Sequence, residues 1–347
     1  MDDYHIHKIE YEAPHFLWAF FFGKYNFFSK YFNSMIASPL PSPSLALQLD
    51  EVGQLIGHTP LMPIRRVFNK PGVELYAKLE WRQLGHSVKS RPAFFIIKDA
   101  IEKGLLTPEK RLLDASSGNT AIGYATVCAR LGIPLTICIP ENASPERKQI
   151  LTALGAELIF TSPMEKTDGA QLVARQMVEE HPDRYFYADQ YNNENNWKAH
   201  YQTTGLEVFE QTEGRVTHLA VGVGTTGTLM GTGRRLRELN PEIEIVSLHP
   251  DSALHGLEGW KDMETARVPG IYDAGFADQQ FHVSTEESYE WLQKFAREEG
   301  ILISPSAAAN LAGAIKLAET LDHGVVVTMF PDDASKYMEV IRFLFPV

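Results

Sequence analysis

From residue 46 to its end the chain alternates short apolar runs of β type with stretches of helical spacing. VELYAKLE (73–80), RLLDAS (111–116), PLTICIP (134–140), AELIFT (156–161), THLAVGVG (217–224), EIEIVSLHP (242–250) and GVVVTMF (324–330) read as strands. Between them, Phe94, Ile97 and Ile101 recur at helical spacing after Ser90. NTAIGYATVCARLG (119–132) reads as a helix stopped by Gly132, with Pro134 beyond. SPERKQILTALGA (144–156) opens with Ser144 as N-cap and Pro145 at the first helical position. Strands this apolar must be covered on both faces, which calls for a mainly parallel sheet flanked by helices. In α/β folds of that kind ligands bind beyond the C-terminal ends of the strands, so the strand-to-helix junctions carry the chemistry.

The bulk of the sequence narrows the function classes. A length of 347 residues predicts about two domains. A net charge of −12 with no basic stripe argues against a nucleic-acid binder. Cys128 and Cys138 are too few for a disulfide scaffold, and Cys138 sits in an apolar run, so a reducing, cytoplasmic setting is the default expectation. No run reaches the roughly 20 apolar residues of a membrane span. FLWAFFFGKYNFF (16–28) comes nearest and is broken by Gly23 and Lys24. Its leader is acidic, unlike a secretory signal, and it runs on into the linker composition SPLPSPS (38–44). Residues 1–45 are therefore set apart from the fold. Met35 is read as the true start, with an amphipathic arm upstream as the alternative.

Four junctions stand out. ASSGNTA (115–121) offers Ser116, Ser117, Gly118, Asn119 and Thr120 at the start of a helix, where free backbone N–H groups suit a carboxylate or phosphate. VGVGTTGTLMGTG (221–233) carries Gly222, Gly224 and Gly227 as G-x-G-x-x-G. The next strand ends in His249-Pro250 rather than the acidic residue that a dinucleotide site requires, and there is no P-loop lysine, so Gly224, Thr225, Thr226, Gly227 and Thr228 read as a cup for one phosphate. SPSAAANLAGA (304–314) offers Ser306, which could be no more than an N-cap. LGHSVKSRPAFF (84–95) places Lys89 just before a helix, followed by Arg91 and Pro92. An amine near a single-phosphate cup suits pyridoxal phosphate, which has an aldehyde for the lysine, one phosphate, and a ring nitrogen for a polar partner.

IGHTPL (56–61), SVKSRPA (87–93), SSGNT (116–120), PERKQILTALGAEL (145–158), DQYNNENNWKAHYQTTGLEV (189–208) and GVGTTGTLMGTG (222–233) then occur in one order and spacing. In these motifs the chain resembles the cysteine synthases, of the tryptophan-synthase-β-like class (fold type II) of pyridoxal phosphate enzymes. GWKDMETARVPGIYD (259–273) and DDASKYM (332–338) are more similar to the cysteine synthase B and O-phosphoserine sulfhydrylase branch.

The resemblance implies an α/β fold of two three-layer α/β/α domains, 46–195 and 196–347, with the site between them and the first strands able to cross into the second domain. It implies that Lys89 forms the Schiff base, that Asn119 meets the cofactor's phenolic oxygen, and that Ser306 faces the pyridine nitrogen. Ser116, Ser117, Gly118, Thr120 and Gln190 would hold the substrate carboxylate, Gly224 to Thr228 the phosphate, and Lys261 a phosphate on the substrate. No metal is implied. The implied reaction is β-replacement on O-acetyl-L-serine or O-phospho-L-serine by sulfide, giving L-cysteine through an aminoacrylate, in a homodimer. The chain departs from the family at Lys89-Ser90-Arg91, where Lys-Asp-Arg is common, at Gln83-Leu84, at His86 and at the AAA after Ser306. A cystathionine β-synthase, with homocysteine as nucleophile, is the nearest rival. A nicotinamide-dependent oxidoreductase would leave Lys89 and SSGNT without a role.

Overall fold

A computed structural model describes residues 44–347, and Ala46–Val347 form one compact unit. Residues 1–43, and with them the readings of Met35 and of an amphipathic arm, lie outside the described residues.

Two sheets organise the fold. Four strands, β3 (Arg111–Ala115), β4 (Leu135–Pro140), β5 (Glu157–Thr161) and β6 (Tyr185–Tyr187), form a parallel sheet in the order β5-β4-β3-β6. Six strands, β1 (Leu61–Ile64), β2 (Val73–Leu79), β7 (His218–Gly222), β8 (Glu244–Pro250), β9 (Gln279–Val283) and β10 (Gly324–Phe330), form the other in the order β1-β2-β10-β7-β8-β9. Every pairing is parallel except β1 with β2. The last strand thus enters between β2 and β7, with Val73 opposite Gly324 and Leu79 opposite Phe330.

The strands read from apolar runs appear with ends shifted by no more than two residues. β4 is buried along its whole length, as a doubly covered parallel strand requires. Three strands escaped the sequence reading. β1 contains Pro63, which a two-sided ladder would not tolerate but an edge strand does. β6 is three residues long, and β9 (QQFHV) is a polar edge strand.

Helices cover the sheets: α1 (Leu45–Gly53), α2 (Ser90–Glu102), α3 (Asn119–Leu131), α4 (Pro145–Ala153), α5 (Lys166–Glu180), α6 (Asn195–Gln202), α7 (Thr204–Gln211), α8 (Gly227–Leu239), α9 (Thr285–Glu299), α10 (Pro305–Thr320) and α11 (Met338–Leu344). Ser144 caps α4 through the N–H of Arg147, and Gly132 ends α3 in the left-handed conformation. Phe94, Ile97 and Ala100 turn one face of α2 into a core with Ala121, Tyr124 and Ile137. α10 is buried almost throughout and packs its alanines against the larger sheet. Cys128 and Cys138 are free and buried, and burial pushes the Cys138 thiol up to about 12. Among the described residues no helix is long and apolar enough to cross a membrane.

Candidate active site

The amine of Lys89 is placed by the turn that leads out of β2. Gly85 and His86 both take left-handed backbone angles, with φ of 81° and 52°. The positive φ at Gly85 favours glycine, and a Cβ there would lie 2.6 Å from Ser90 Oγ. Val88 donates its N–H to Pro331 O at 2.8 Å, which fixes the backbone beside Lys89 to the end of β10. Lys89 is the N-cap residue of α2 and is partly accessible from a cavity. Burial pulls its ammonium down to about 8, and the charge of Asp332 acts in the opposite direction.

Arg91, two residues on, points the other way. It is fully buried and makes forked contacts with two carboxylates. Nε and Nη2 donate to Glu80 at 2.7 and 2.8 Å, and Nη1 and Nη2 to Glu207 at 2.6 and 2.9 Å. Thr203 and Thr59 hydroxyls accept at 2.9 and 3.0 Å. Lys78 adds a second cation 2.7 Å from Glu207, so the cluster holds two positive and two negative groups. An unpaired charge here would be costly, and the balanced cluster instead ties the first turn of α2 to β2 and α7. Lys89 is thereby carried on a rigid base.

The SSGNT loop follows β3. Ser116 Oγ accepts from the N–H groups of Gly118 and Ala121 at 3.2 and 3.3 Å, so this hydroxyl shapes the loop. The N–H groups of Ser117, Asn119 and Thr120 have no partner among the described residues and open onto the cavity at the start of α3. Thr120 Oγ1 donates to Gln190 Oε1 at 2.6 Å, and Gln190 Nε2 donates to Ala115 O at 3.0 Å. Gln190 is therefore locked against the loop. Behind it, burial pushes the Asp114 carboxyl up to about 7.

The glycine loop follows β7. A Cβ at Gly224 would lie 2.0 Å from Gly259 O, so the chain can pass there only as glycine. Thr226 is the N-cap of α8 with φ 68°, an uncommon angle for a β-branched residue and a mark of local strain. The backbone N–H groups of Gly224, Thr225, Thr226, Gly227 and Thr228 have no partner among the described residues. Gly227 lines neither cavity of the site and packs against Asn196, whose Oδ1 would lie 2.0 Å from a Cβ there. His200 holds Thr228 Oγ1 at 3.3 Å, and burial pulls its imidazole well below its usual value.

Ser306 does not cap its helix. Ser304 does, accepting the N–H of Ala307, and Pro305 fills the first helical position. Ser306 is thus released to face inward, buried, with its hydroxyl 3.2 Å from Ser304 Oγ. Lys261 sits on the loop after β8, its N–H bonded to Val223 O at 2.8 Å. Its ammonium lies 3.5 Å from Asp168 Oδ1 and 4.9 Å from the centre of the Tyr191 ring.

These pieces meet. A cavity of about 410 Å³ is lined by Lys89, Ser116 to Thr120, Gln190, Gly224, Thr225 and Lys261. A second, of about 60 Å³, is lined by Lys89, Asn119, Gly224 to Thr226, Thr228 and Ser306. Lys89 and Asn119 belong to both. A lysine amine, a cup of unpaired N–H groups and a buried hydroxyl thus surround one space. The buried Thr226 Oγ1 has no partner among the described residues, which leaves a donor where a phosphate would be held. The residues fit pyridoxal phosphate.

Some contributors escaped the sequence reading. Asn196 donates to Gln190 O at 2.7 Å and to Thr225 Oγ1 at 3.0 Å, joining Gln190 to the glycine loop. Asp332 and Lys336 reach Asn119 from the far end of the chain, and Tyr337 donates to Asp332. Their only local signal was DDASKYM, which carried resemblance without a role.

Residues 52–332 match the family described as pyridoxal-phosphate dependent enzyme. The cysteine synthase of Aquifex aeolicus is 44% identical over 297 residues, which is 84% of this chain and 91% of that protein. Cysteine synthase B of Pseudomonas aeruginosa is 36% identical, covering 85% of this chain and 97% of its own length. The crystal structure of cysteine synthase (OASS) from Entamoeba histolytica superposes with a TM-score of 0.79 at 28% identity, over 89% of this chain and 97% of that one. With Lys89, the SSGNT loop and the glycine loop on one cavity, these likenesses agree: the chain belongs to the pyridoxal-phosphate dependent enzymes, and among them to the cysteine synthases.

Proposed function

We propose that this protein is a cysteine synthase that replaces the oxygen substituent on Cβ of an activated L-serine with sulfur from sulfide. The observation that carries the reading is the convergence of Lys89, the SSGNT loop and the glycine cup on one space. Pyridoxal phosphate bound there supplies an aldehyde for the substrate's amino group and a ring that withdraws electrons from Cα.

The chain's own groups divide the remaining work. Gly224, Thr225, Thr226, Gly227 and Thr228 would hold the phosphate through backbone N–H groups and hydroxyls, with the helix start adding its positive end. Ser306 and Asn119 line the smaller cavity and would hold the cofactor ring, Ser306 through a neutral hydroxyl and Asn119 through its amide. The N–H groups of Ser117, Asn119 and Thr120, with Gln190, receive the substrate carboxylate, while Ser116 and Gly118 shape that loop. Lys89 would take the proton from Cα and later return it. Its depressed basicity suits both roles near neutral pH. The leaving group departs with its bonding pair and hydrosulfide takes its place on Cβ. Lys261 lies on the same cavity wall as the carboxylate loop and is proposed to meet a phosphate carried by the substrate.

The same reading divides the chain near residue 195 into two α/β domains, with β1 and β2 completing the sheet of the second. It also makes the protein a homodimer of the cytoplasm, the dimer by resemblance and the compartment by the two free thiols.

The test is to load the protein with pyridoxal phosphate, supply sulfide with O-acetylserine or O-phosphoserine in separate reactions, and quantify L-cysteine. One donor or both will give cysteine, and Lys261→Ala will raise KM for O-phosphoserine about tenfold while leaving O-acetylserine within twofold. No cysteine from either donor would overturn the activity. Equal effects on both donors would remove Lys261 from phosphate recognition.

A further inference from the structure

The end of β10 passes between the elements that build the site. Phe330 O accepts from Glu80 N–H at 3.0 Å, Pro331 O from Val88 N–H at 2.8 Å, and Asp332 O from Ser304 N–H at 3.4 Å. The next residues turn back toward α3. Asn119 Nδ2 donates to Asp332 Oδ2 at 2.8 Å, and Lys336 Nζ donates to Asn119 Oδ1 at 2.7 Å. Lys336 also donates to His86 O at 2.9 Å and stands 3.6 Å from Asp332. Tyr337 Oη donates to Asp332 Oδ2 at 2.8 Å. Asp332 is fully buried and Lys336 nearly so.

An amide has two faces, and a protein ordinarily chooses between them by a modest difference in hydrogen bonding. Here the choice is forced by charge. An ammonium can only donate and a carboxylate at neutral pH can only accept, so Asn119 must turn its oxygen to Lys336 and its nitrogen to Asp332. A flip would set the amide N–H groups against Lys336 and the amide oxygen against the carboxylate. One hydrogen of Nδ2 is then used by Asp332 and the other is left for the cavity that Asn119 lines.

We propose that Asp332 and Lys336 are positioning residues that lock the side chain of Asn119 so that it presents a donor to the bound cofactor. The inference rests on the reading of Asn119 as a cofactor contact. Tyr337 steadies the carboxylate, and Arg147, 5.1 Å above the Tyr337 ring and ion-paired with Glu258, links the lock to the loop over the cavity. The His86 carbonyl, carried on a left-handed residue, supplies the remaining acceptor for Lys336. The lock joins residues more than two hundred positions apart.

The experiment is a double-mutant cycle on equilibrium binding of pyridoxal phosphate to the apoprotein, read by quenching of tryptophan fluorescence, since Trp260 lines the cavity. The variants are Asn119→Ala, the charge-neutral pair Asp332→Asn/Lys336→Gln, and their combination, with Lys336→Arg as the conservative control. The paired substitution removes both charges together and avoids stranding one in the interior. Asn119→Ala and the pair will each weaken binding about tenfold, and the combination will be no weaker than Asn119→Ala alone. Lys336→Arg will stay within about threefold of the parent. Should Asn119→Ala bind the cofactor normally, the role of Asn119 itself falls. Loss in Asn119→Ala without loss in the pair, or fully additive losses, would overturn the lock while leaving that role intact. Thermal melting of each apoprotein within a few degrees of the parent separates these outcomes from unfolding.

Discussion

Lys89 reports most directly on the site at the scale of single residues. Burial pulls its ammonium from 10.5 down to about 8, with Asp332 opposing the shift. A lysine needs its neutral form to attack a carbonyl, so this residue will react far below the pH at which an exposed lysine does. Labelling of the apoprotein by a small neutral amine-reactive ester, followed at the Lys89 peptide by mass spectrometry, will rise with pH about a midpoint near 8. Asp332→Asn removes the charge that favours the ammonium and will move the midpoint lower. A profile that rises only where exposed lysines react would contradict this picture. Lys89 was legible in the sequence because its neighbours announced a turn and a helix start. Arg91 beside it was conspicuous but carried no sign of its direction. Asp332 and Lys336 could not be assigned because their partner is Asn119, and only the entry of β10 beside β2 brings them to it.

α2 is the element on which the account depends, because it carries Lys89 and is fastened by Arg91. Removing one member of a buried, balanced cluster leaves a charge without a partner, which typically costs about 3–5 kcal/mol. Arg91→Met will therefore lower stability by roughly that amount in denaturant unfolding. Arg91→Lys will fail to rescue fully, since one ammonium cannot reproduce the fork to Glu80 and Glu207. Loss of less than about 1 kcal/mol would mean that the cluster does not anchor the helix. The elements themselves were mostly visible in the sequence, for a physical reason. A doubly covered parallel strand such as β4 must be apolar throughout, and helix ends such as Ser144-Pro145 and Gly132 carry their own chemistry. β1, β6 and β9 were missed because edge position or shortness frees a strand from that composition. Ser306 was a candidate cap on type alone, and Ser304 took the role because Pro305 needs to follow the cap.

Across the whole molecule, chain order and spatial order part company. β2 and β10, far apart in sequence, lie side by side, and their ends deliver Lys89 and Asp332 to one place. β3 and β7 belong to different sheets, yet the loops after them line one cavity. Alternation of strand and helix predicts parallel sheets and points to the junctions, but it does not say which junctions converge. The motif resemblance supplied that convergence, and the cavity around Lys89 displays it. Lys89 is proposed to capture pyridoxal phosphate within this cavity. The measurement that tests it is the visible absorption spectrum of the purified protein after incubation with pyridoxal phosphate and removal of the excess, beside Lys89→Ala treated in the same way. The parent will retain a yellow band and the variant will lose it. A parent that stays colourless, or a variant that keeps the same band, would contradict it.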